Sequence, residues 1–362
     1  AWRAEGPMDV DTKSIAFFGQ ADWRVTQWLG LTFGARYTEE DKKIDIRQTD
    51  LSSFNYDVLN CPVNGTGFIP NVGVVPCPTF ARFPHADDPL RLYTRNTPDQ
   101  SFSNFSMKLG VQLHPTDDVM VYGSYSEGYK SGGWSTRASV PVAQPIVFSE
   151  ETAKTYEAGV KSTLFDGRVQ ANLAAFTTAY DDVQLLIQVG PNPQIRNFGT
   201  AKIQGVEGDV VVKVNDVVSF MASAGVLDSE LRNLTDISAP NALQLGIVNG
   251  AELLKVPDFK FNFSPRVAAP VGRHSVTFQA DYTYTAKMWN DSQRSFLLRR
   301  PATHVVNASI MFKHGNGWSL AGGVTNLTEE RFIVNGLTST AGQIYGSPNR
   351  PREFYARLGF EF

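Results

Sequence analysis

Arginine and tryptophan side chains recur in two connections of the chain, where they could bind an anionic ligand that carries aromatic groups. The six side chains are Trp134, Arg137, Trp289, Arg294, Arg299 and Arg300. A guanidinium group holds anionic oxygens through charge-assisted hydrogen bonds and also stacks on an aromatic face. The same aromatic rings could instead stack on sugar rings, or the six side chains could only pack the connections. The sequence leaves these interpretations open.

Two cysteines, Cys61 and Cys77, share one proline- and glycine-rich connection, with 15 residues between them. This placement favours a disulfide, and therefore an oxidising compartment, over two unrelated free thiols. In the chain-entropy model, closing a loop of this size contributes about 3 kcal/mol. A metal site is not expected, because two cysteines without a nearby histidine pair supply too few ligands.

Patterns typical of catalysis and of cofactor binding are missing from the sequence. A lipase or protease needs a nucleophile with a positioned histidine, and no G-x-S-x-G motif is present. The histidines are scattered along the chain, so a pair of haem ligands is not indicated; they are His85, His114, His274, His304 and His314. We therefore expect that the protein is not an enzyme and that it holds no cofactor and no metal.

Charge and hydropathy limit the possible partners. The 362 residues carry a formal net charge of −3, which argues against nucleic acid as a partner. No run of 18 apolar residues occurs, so a transmembrane helix is not predicted. The first residues lack the basic and apolar regions of a signal peptide. Either a signal has been removed or the sequence is an internal piece of a longer chain.

The segment 352–362 shows a strict alternation of apolar and polar side chains. One face carries Phe354, Ala356, Leu358, Phe360 and Phe362. Since successive side chains of a strand point to opposite faces, this segment is predicted to be a strand with one apolar face. Such a strand closes an outer-membrane barrel with its apolar face towards lipid, and Phe360 and Phe362 would then serve barrel assembly. The alternative is an edge strand of a soluble β-sandwich.

The same alternation predicts 13 strands and no convincing amphipathic helix. Strand six is expected over Val169–Ile187, strand seven over Ile195–Val212, and the last connection over about Asn335–Asn349. Short connections follow the odd strands and longer ones follow the even strands. This regularity favours an all-β, transmembrane, antiparallel up-and-down barrel, with short periplasmic turns and long extracellular loops. The cysteine-bearing connection would then lie outside the cell.

The number of strands has a further implication. Single-chain bacterial barrels have an even number of strands, whereas 13 is odd. We therefore expect further strands on the N-terminal side, unless the count is wrong by one.

Six segments resemble TonB-dependent outer-membrane receptors, and they occur in the order found in that family. They are L-T-F-G-A-R-Y-T at 31–38, V-Y-G-S-Y-S-E-G-Y-K-S-G-G at 121–133, E-T-A-K-T-Y-E-A-G-V-K-S at 151–162, R-N-F-G-T-A-K-I-Q-G-V-E at 196–207, V-T-N-L-T-E-E-R-F at 324–332 and P-R-E-F-Y-A-R-L-G-F-E-F at 351–362. Each pattern is weak alone, but together they span most of the chain.

The resemblance implies a 22-stranded barrel that is plugged by an N-terminal domain. Residues 1–362 would form the C-terminal portion of the barrel, without the plug, the short TonB-contacting box and about nine strands. The family imports scarce nutrients, of which a ferric siderophore is favoured here; haem, cobalamin and saccharides are alternatives. Expected partners are the nutrient, the lipid bilayer and, through the absent plug, the inner-membrane TonB complex. A passive porin or a structural barrel is the competing interpretation.

Polar residues on the lumen-facing parity complete the sequence-based expectations. Arg36, Glu157, Lys161, Glu207 and Asp209 are predicted to face the lumen, mainly as parts of a solvated, salt-bridged wall. In addition, Asn326 is expected to bond the backbone and turn the end of strand twelve. Small residues at Gly205 and Gly208 would let large neighbours pack on a curved wall.

Overall fold

The structure is a computed structural model that describes residues 4–46, 49–50, 66–69, 73–76, 99–136, 145–189, 192–234, 246–338 and 344–361. Four of the sequence-predicted functional residues lie outside the described residues: Cys61, Cys77, Arg137 and Phe362. Their roles stay predictions.

Thirteen long strands form one antiparallel sheet, as the sequence predicted. The strands are β1 (Met8–Arg24), β2 (Leu29–Ile46), β3 (Gln100–Thr116), β4 (Val119–Lys130), β5 (Glu151–Leu164), β6 (Val169–Asp181), β7 (Thr200–Lys213), β8 (Val218–Arg232), β9 (Phe259–Val271), β10 (His274–Thr285), β11 (Thr303–Lys313), β12 (Trp318–Thr325) and β13 (Glu353–Phe360). Each strand pairs with the next one along the chain, whereas β1 and β13 stand at the two ends of the strand order. This is the up-and-down meander of a barrel wall.

One face of this sheet is apolar and exposed. On β13, Phe354 and Leu358 are 76% and 69% exposed, and they pair across the ladder with Val324 and Leu320 of β12. On β9 and β10, Phe259, Phe263 and Phe278 are also exposed rather than enclosed in a core. An extended apolar surface of this kind is unfavourable in water and suits a lipid environment.

The opposite face carries the polar side chains that the sequence assigned to the lumen. The Tyr122 hydroxyl donates to Glu157 Oε1 at 2.7 Å, and Asn172 Nδ2 donates to Asp209 Oδ2 at 2.9 Å. These four residues, with Lys161 and Glu207, line a cavity of about 680 Å³. Arg36 lines a second cavity of about 680 Å³ on the same face, further towards β1.

Glycine makes room for large neighbours on this wall. A Cβ atom at Gly205 would lie 2.6 Å from Leu227 Cδ2 and 3.4 Å from Phe176 Cε1. This close approach confirms the predicted role of Gly205.

Connection length separates the two ends of the sheet. The connections at the short-turn end are 25–28, 117–118, 165–168, 214–217, 272–273 and 314–317. The connections at the long-loop end are 47–99, 131–150, 182–199, 233–258, 286–302 and 326–352. The strict alternation predicted from the sequence is therefore confirmed.

Short strands that were not predicted from the sequence lie in the long connections and, in one case, before β1. The pairs are Ala4–Glu5 with Thr49–Asp50, Thr66–Ile69 with Gly73–Pro76, Gly133–Ser135 with Ile146–Phe148, Gln184–Val189 with Asn192–Asn197, and Ile333–Thr338 with Ile344–Pro348. A 3₁₀ helix spans Phe296–Leu298. No helix among the described residues is long and apolar enough to span a membrane.

Three of the predicted boundaries were wrong. Strand six ends at Asp181 rather than Ile187, and strand seven begins at Thr200 rather than Ile195. Asp182 and Gly199 have φ of 54° and 57°, which turns the chain into a separate hairpin. The last connection is longer than predicted, because Asn326, with φ of 51°, ends β12 early.

Asn326 performs the turning role expected of it. Its side chain accepts a hydrogen bond from the Glu330 backbone N–H at 2.8 Å and donates to the carbonyl oxygens of Glu330 and Arg350 at 2.9 and 3.2 Å. These bonds fix the chain as it leaves the sheet.

The buried apolar cluster lies at the long-loop end rather than between sheet layers. Its members are Val183, Ile187, Phe198, Ala201, Leu231, Leu234, Ile247 and Ala251. They join the connections 182–199 and 233–258, so these connections are held by burial of apolar surface as well as by hydrogen bonds.

Candidate functional site

Three of the six predicted ligand-binding side chains come together in the connection 286–302. The guanidinium carbons of Arg294 and Arg299 lie 5.8 and 5.1 Å from the centre of the Trp289 ring. Both distances are within the range of a cation–π interaction. The result is an aromatic ring with two positive charges beside it.

The base of this connection is closed by the backbone. Met288 and Arg300 donate to each other's carbonyl oxygens at 3.1 and 3.0 Å. Within the connection, the buried carboxylate of Asp291 accepts hydrogen bonds from the Ser295 N–H and hydroxyl, at 3.0 and 2.8 Å, and from the Thr338 hydroxyl at 2.9 Å. Asp291 is therefore a positioning residue for the turn that carries Arg294.

The two guanidinium groups beside Trp289 differ in their hydrogen bonds. Arg294 Nη2 donates to the Glu252 carbonyl oxygen at 2.6 Å, so part of its donor capacity is used within the protein. For the Arg299 guanidinium, the structure shows no hydrogen bond or ion pair with any residue that it describes. Arg299 therefore has donors to offer to an anionic ligand.

Arg300 has a packing environment of its own. Its guanidinium carbon lies 3.8 Å from the centre of the Phe332 ring, and Nη2 donates to the Thr303 hydroxyl at 2.9 Å. Burial lowers the pKa of this guanidinium from its ordinary value, and nearby Glu330 opposes that effect. These contacts tie the connection 286–302 to β11 and to the connection 326–352.

Neighbouring connections hold the Trp289 turn in place. Lys255 N–H donates to the Trp289 carbonyl oxygen at 2.9 Å, and Lys255 Nζ donates to Asn335 Oδ1 at 3.0 Å. Asn290 Nδ2 donates to the carbonyl oxygens of Leu298 and Ile333 at 2.8 and 3.0 Å. The connections 233–258, 286–302 and 326–352 thus pack as one unit.

Trp134 lies on a different hairpin, Gly133–Ser135 with Ile146–Phe148, which is bonded to the connection 182–199. Its neighbour Ser135 uses one hydroxyl both to donate to the Ile195 carbonyl oxygen at 2.9 Å and to accept from the Ile195 N–H at 2.8 Å. The Gln184 side-chain amide donates to the carbonyl oxygens of Ser131 and Ser149 at 3.0 and 2.9 Å. We use the name loop platform for the described residues of the connections 131–150, 182–199, 233–258, 286–302 and 326–352.

An exposed apolar pair beside the arginines was not singled out from the sequence. Phe296 and Leu297 are 78% and 70% exposed, whereas Leu298 is buried against Gly336 and Gly346. The run F-L-L-R-R offered a signal, because three apolar residues directly precede two arginines. They give the Trp289 region an apolar surface as well as a cationic one.

Two histidines that were scattered in the sequence meet at the short-turn end. The rings of His274 and His314 are 4.3 Å apart. Their Nδ1 atoms accept hydrogen bonds from the N–H groups of Gly315 and Asn316, each at 3.2 Å. The pair therefore holds the turn 314–317 against the start of β10. Among the described residues, no group of three or more possible ligands could hold a metal ion.

An antiparallel meander with an exposed apolar face, a polar opposite face and loops of unequal length at its two ends defines the wall of an outer-membrane-type β-barrel. The model of the family described as TonB dependent receptor-like, beta-barrel matches residues 5–327. The chain belongs to this family. Members of the family are outer-membrane proteins whose barrel strands cross the membrane.

Two curated relatives are similar over most of this chain. The metal-pseudopaline receptor CntO of Pseudomonas aeruginosa is 22% identical over 255 residues, which is 70% of this chain and 33% of the relative. The ferric-pyoverdine M114 receptor PbuA of Pseudomonas sp. is 25% identical over 248 residues, which is 66% of this chain and 28% of the relative. The chain spans about a third of the length of these relatives.

A solved structure has a similar fold. The ferric yersiniabactin uptake receptor FyuA of Yersinia pestis superposes with a TM-score of 0.74 at 15% identity, covering 99% of this chain and 47% of that protein. The likeness extends over almost the whole chain, in agreement with the barrel-wall assignment.

Proposed function

We propose that this chain is the wall and loop region of an outer-membrane receptor that imports a scarce nutrient, with a ferric siderophore or a similar metal chelate as the substrate. The long-loop end would face the outside. Energy would come from the inner membrane through a TonB complex acting on a plug domain outside this chain. The whole chain, 1–362, would belong to the C-terminal part of the barrel.

The observation that carries the proposal is the Trp289 site on the loop platform. Many metal chelates are anionic and contain aromatic groups, so an indole ring beside a guanidinium that no described residue engages through a hydrogen bond or ion pair suits them. The exposed Phe296 and Leu297 would add apolar contact. The names of the two curated relatives, a metal-pseudopaline receptor and a ferric-pyoverdine receptor, agree with a metal chelate as ligand.

A passive pore is the second candidate, because the lumen face holds two cavities of about 680 Å³ each, both lined in part by charged side chains. A pore would conduct ions in a planar bilayer without any energy source. An importer would take up its substrate only while the inner-membrane proton gradient is intact.

The test uses the full-length receptor that contains this chain. Binding of ferric catecholate, hydroxamate and carboxylate siderophores, haem, cobalamin and a maltooligosaccharide is measured by quenching of tryptophan fluorescence. Uptake of radiolabelled iron by whole cells is measured with and without a protonophore. We expect tight binding of one ferric siderophore and uptake that the protonophore abolishes. Steady conductance with no binding of any of these compounds would favour the pore instead.

A further inference from the structure

The hydrogen-bonded ladder between β3 and β4 stops halfway along both strands. The last pairs towards the long-loop end are Leu109 with Tyr125 and Lys108 with Ser126. Beyond them β3 still pairs with β2 as far as Gln100, and β4 still pairs with β5 as far as Lys130. In this stretch, residues 100–107 of β3 and 127–130 of β4 do not pair with each other. We call it the seam.

Side chains close the seam where the backbone does not. On the apolar side, Glu127 Oε2 accepts a hydrogen bond from the Met107 N–H at 3.0 Å, while its Oε1 accepts from the Tyr125 hydroxyl at 2.6 Å. A carboxylate thus replaces the carbonyl oxygen that a paired strand would offer. Such a bond can be broken without disturbing the ladder below it.

On the lumen side, a polar bridge made of Glu40, Lys42 and Ser131 crosses the seam. Lys42 Nζ lies 2.8 Å from Glu40 Oε1 and donates to the Ser131 hydroxyl at 2.6 Å and to the Gly132 carbonyl oxygen at 3.0 Å. Ser131 donates in turn to Glu40 at 3.0 Å. The Lys42 and Glu40 side chains are 17% and 15% exposed, so solvent screens this ion pair less than a surface pair.

Two further contacts support the bridge. Gln100 Nε2 donates to the Gly133 carbonyl oxygen at 2.8 Å. The Phe102 ring packs against Gly132, where a Cβ would lie 2.8 Å from it, and Lys42 Nζ is 5.6 Å from the ring centre. All of these contacts join β2 and β3 to the first residues of the loop platform.

The platform side of the seam is bound more firmly to its own neighbours. The Trp134 hairpin is held by the reciprocal Ser135–Ile195 bonds and by Gln184, which all lie on the far side of the seam from β3. If the polar bridge and the Gln100–Gly133 bond break, the hairpin therefore stays with the loop platform and separates from β2 and β3.

We propose that the long-loop end moves as two bodies that hinge along the seam, with the polar bridge holding them closed. One body is the part of β1–β3 at the long-loop end. The other body is the loop platform, which includes Trp134. The second lumen cavity reaches the seam, because Ser106 and Ser131 line it together with Arg36 and Lys108. Opening the seam widens this cavity at the long-loop end. This proposal concerns a motion and does not depend on the identity of the ligand.

The test measures distances in the full-length receptor in lipid nanodiscs, with pairs of spin labels and no ligand. One pair, at Ser103 and Val147, spans the seam; the other, at Val147 and Leu186, lies within the loop platform. All three positions are exposed. Lys42→Met removes the charge but keeps most of the aliphatic stem. The matched control is Lys154→Met, which removes a half-exposed Lys154–Asp181 pair at the same end of the sheet.

We expect Lys42→Met to add a longer population to the Ser103–Val147 distance and to leave the Val147–Leu186 distance unchanged, while Lys154→Met changes neither. An unchanged Ser103–Val147 distance, or equal broadening of both distances, overturns the proposal. If Lys42→Met does not yield a folded, heat-modifiable barrel, Gln100→Ala is measured in its place, with the same outcomes. A failure here leaves the import proposal standing, since no transport is measured.

Discussion

Arg299 lies against the face of Trp289, with 5.1 Å between its guanidinium carbon and the ring centre. Nothing else that the structure describes takes up the donors of this guanidinium, whereas Arg294 on the same ring already bonds the Glu252 carbonyl oxygen. An anionic ligand would therefore meet a stacked, oriented and unpaired cation. This difference makes Arg299 the more informative of the two arginines to change.

The first prediction is that Arg299→Gln weakens binding of the ferric siderophore to the full-length receptor. A charge-assisted contact with a cation–π component contributes roughly 1–2 kcal/mol, or about a 5- to 30-fold change in the dissociation constant. Trp289→Leu should weaken binding to a similar extent, because it removes the stacking surface. Fluorescence quenching by the siderophore, titrated over a range of concentrations, measures both.

Arg350→Gln is the matched control for this prediction. Arg350 belongs to the same end of the sheet, and its side chain is 88% exposed, with a 4.0 Å contact to Glu353 as its one ion pair among the described residues. If Arg299→Gln and Arg350→Gln lower the affinity equally, a general effect of surface charge explains the loss, and the Trp289 site is not the binding site.

The second prediction concerns Cys61 and Cys77, which lie in the connection between β2 and β3. We expect a disulfide, because both cysteines lie in one connection of an outer-membrane protein, where the compartment is oxidising. Mass mapping of unreduced peptides should show a linked pair that separates on reduction. Two separately recovered thiols would contradict the prediction. The variant with both cysteines replaced by serine should lose about 3 kcal/mol or less of stability.

The third prediction concerns the apolar face of the last strand. Phe360 packs against Trp318 with 4.6 Å between ring centres, and the sequence places Phe362 on the same face. Replacing either phenylalanine by serine should lower the amount of barrel recovered from outer membranes, because the apolar face is then interrupted. Heat-modifiable mobility in gels measures the folded fraction.

Glu361→Gln is the control for that experiment. Glu361 points to the opposite face and pairs with Lys313 Nζ at 2.6 Å, where both groups are exposed. Because an exposed ion pair contributes little, this change should leave the yield unaltered. A normal yield for Phe360→Ser and Phe362→Ser would remove the assembly role.

The wall of the barrel could be predicted from the sequence because its strands and turns depend on residues that are close together in the chain. A two-residue period over strands such as β9 and β13 fixes which side chains face lipid, and short polar turns separate the strands. Asn326 could also be anticipated, since its side chain bonds the backbone of its own turn. These features need no knowledge of distant parts of the chain.

The long-loop end could be predicted only in part, because its contacts join residues that are far apart in sequence. Alternation continues from β6 into the Gln184–Val189 strand, so periodicity alone extended strand six too far. Arg299 was named for its type, but its stacking on Trp289 depends on how the connection folds. The meeting of His274 with His314 likewise follows from the pairing of β10 with β11.

The fourth prediction concerns Gly199, which directly precedes the first residue of β7. Gly199 has φ of 57°, and a Cβ there would overlap the carbonyl oxygen of Asn233. Its own carbonyl oxygen accepts from the Val183 N–H at 3.1 Å, next to the buried Phe198. Gly199→Ala should therefore expose the 184–197 hairpin to proteases, since both the backbone conformation and the close approach are lost.

Gly250→Ala separates these two causes. Gly250 has φ of 80°, but apart from its chain neighbours no atom of the described residues lies within 4 Å of the place where its Cβ would be, so backbone strain of about 1–2 kcal/mol is the expected effect. Limited proteolysis of the two variants in outer membranes should show faster cleavage for Gly199→Ala. Equal cleavage rates would mean that the contact with Asn233 does not hold the hairpin in place. In that case the apolar cluster around Phe198 would be sufficient to anchor it.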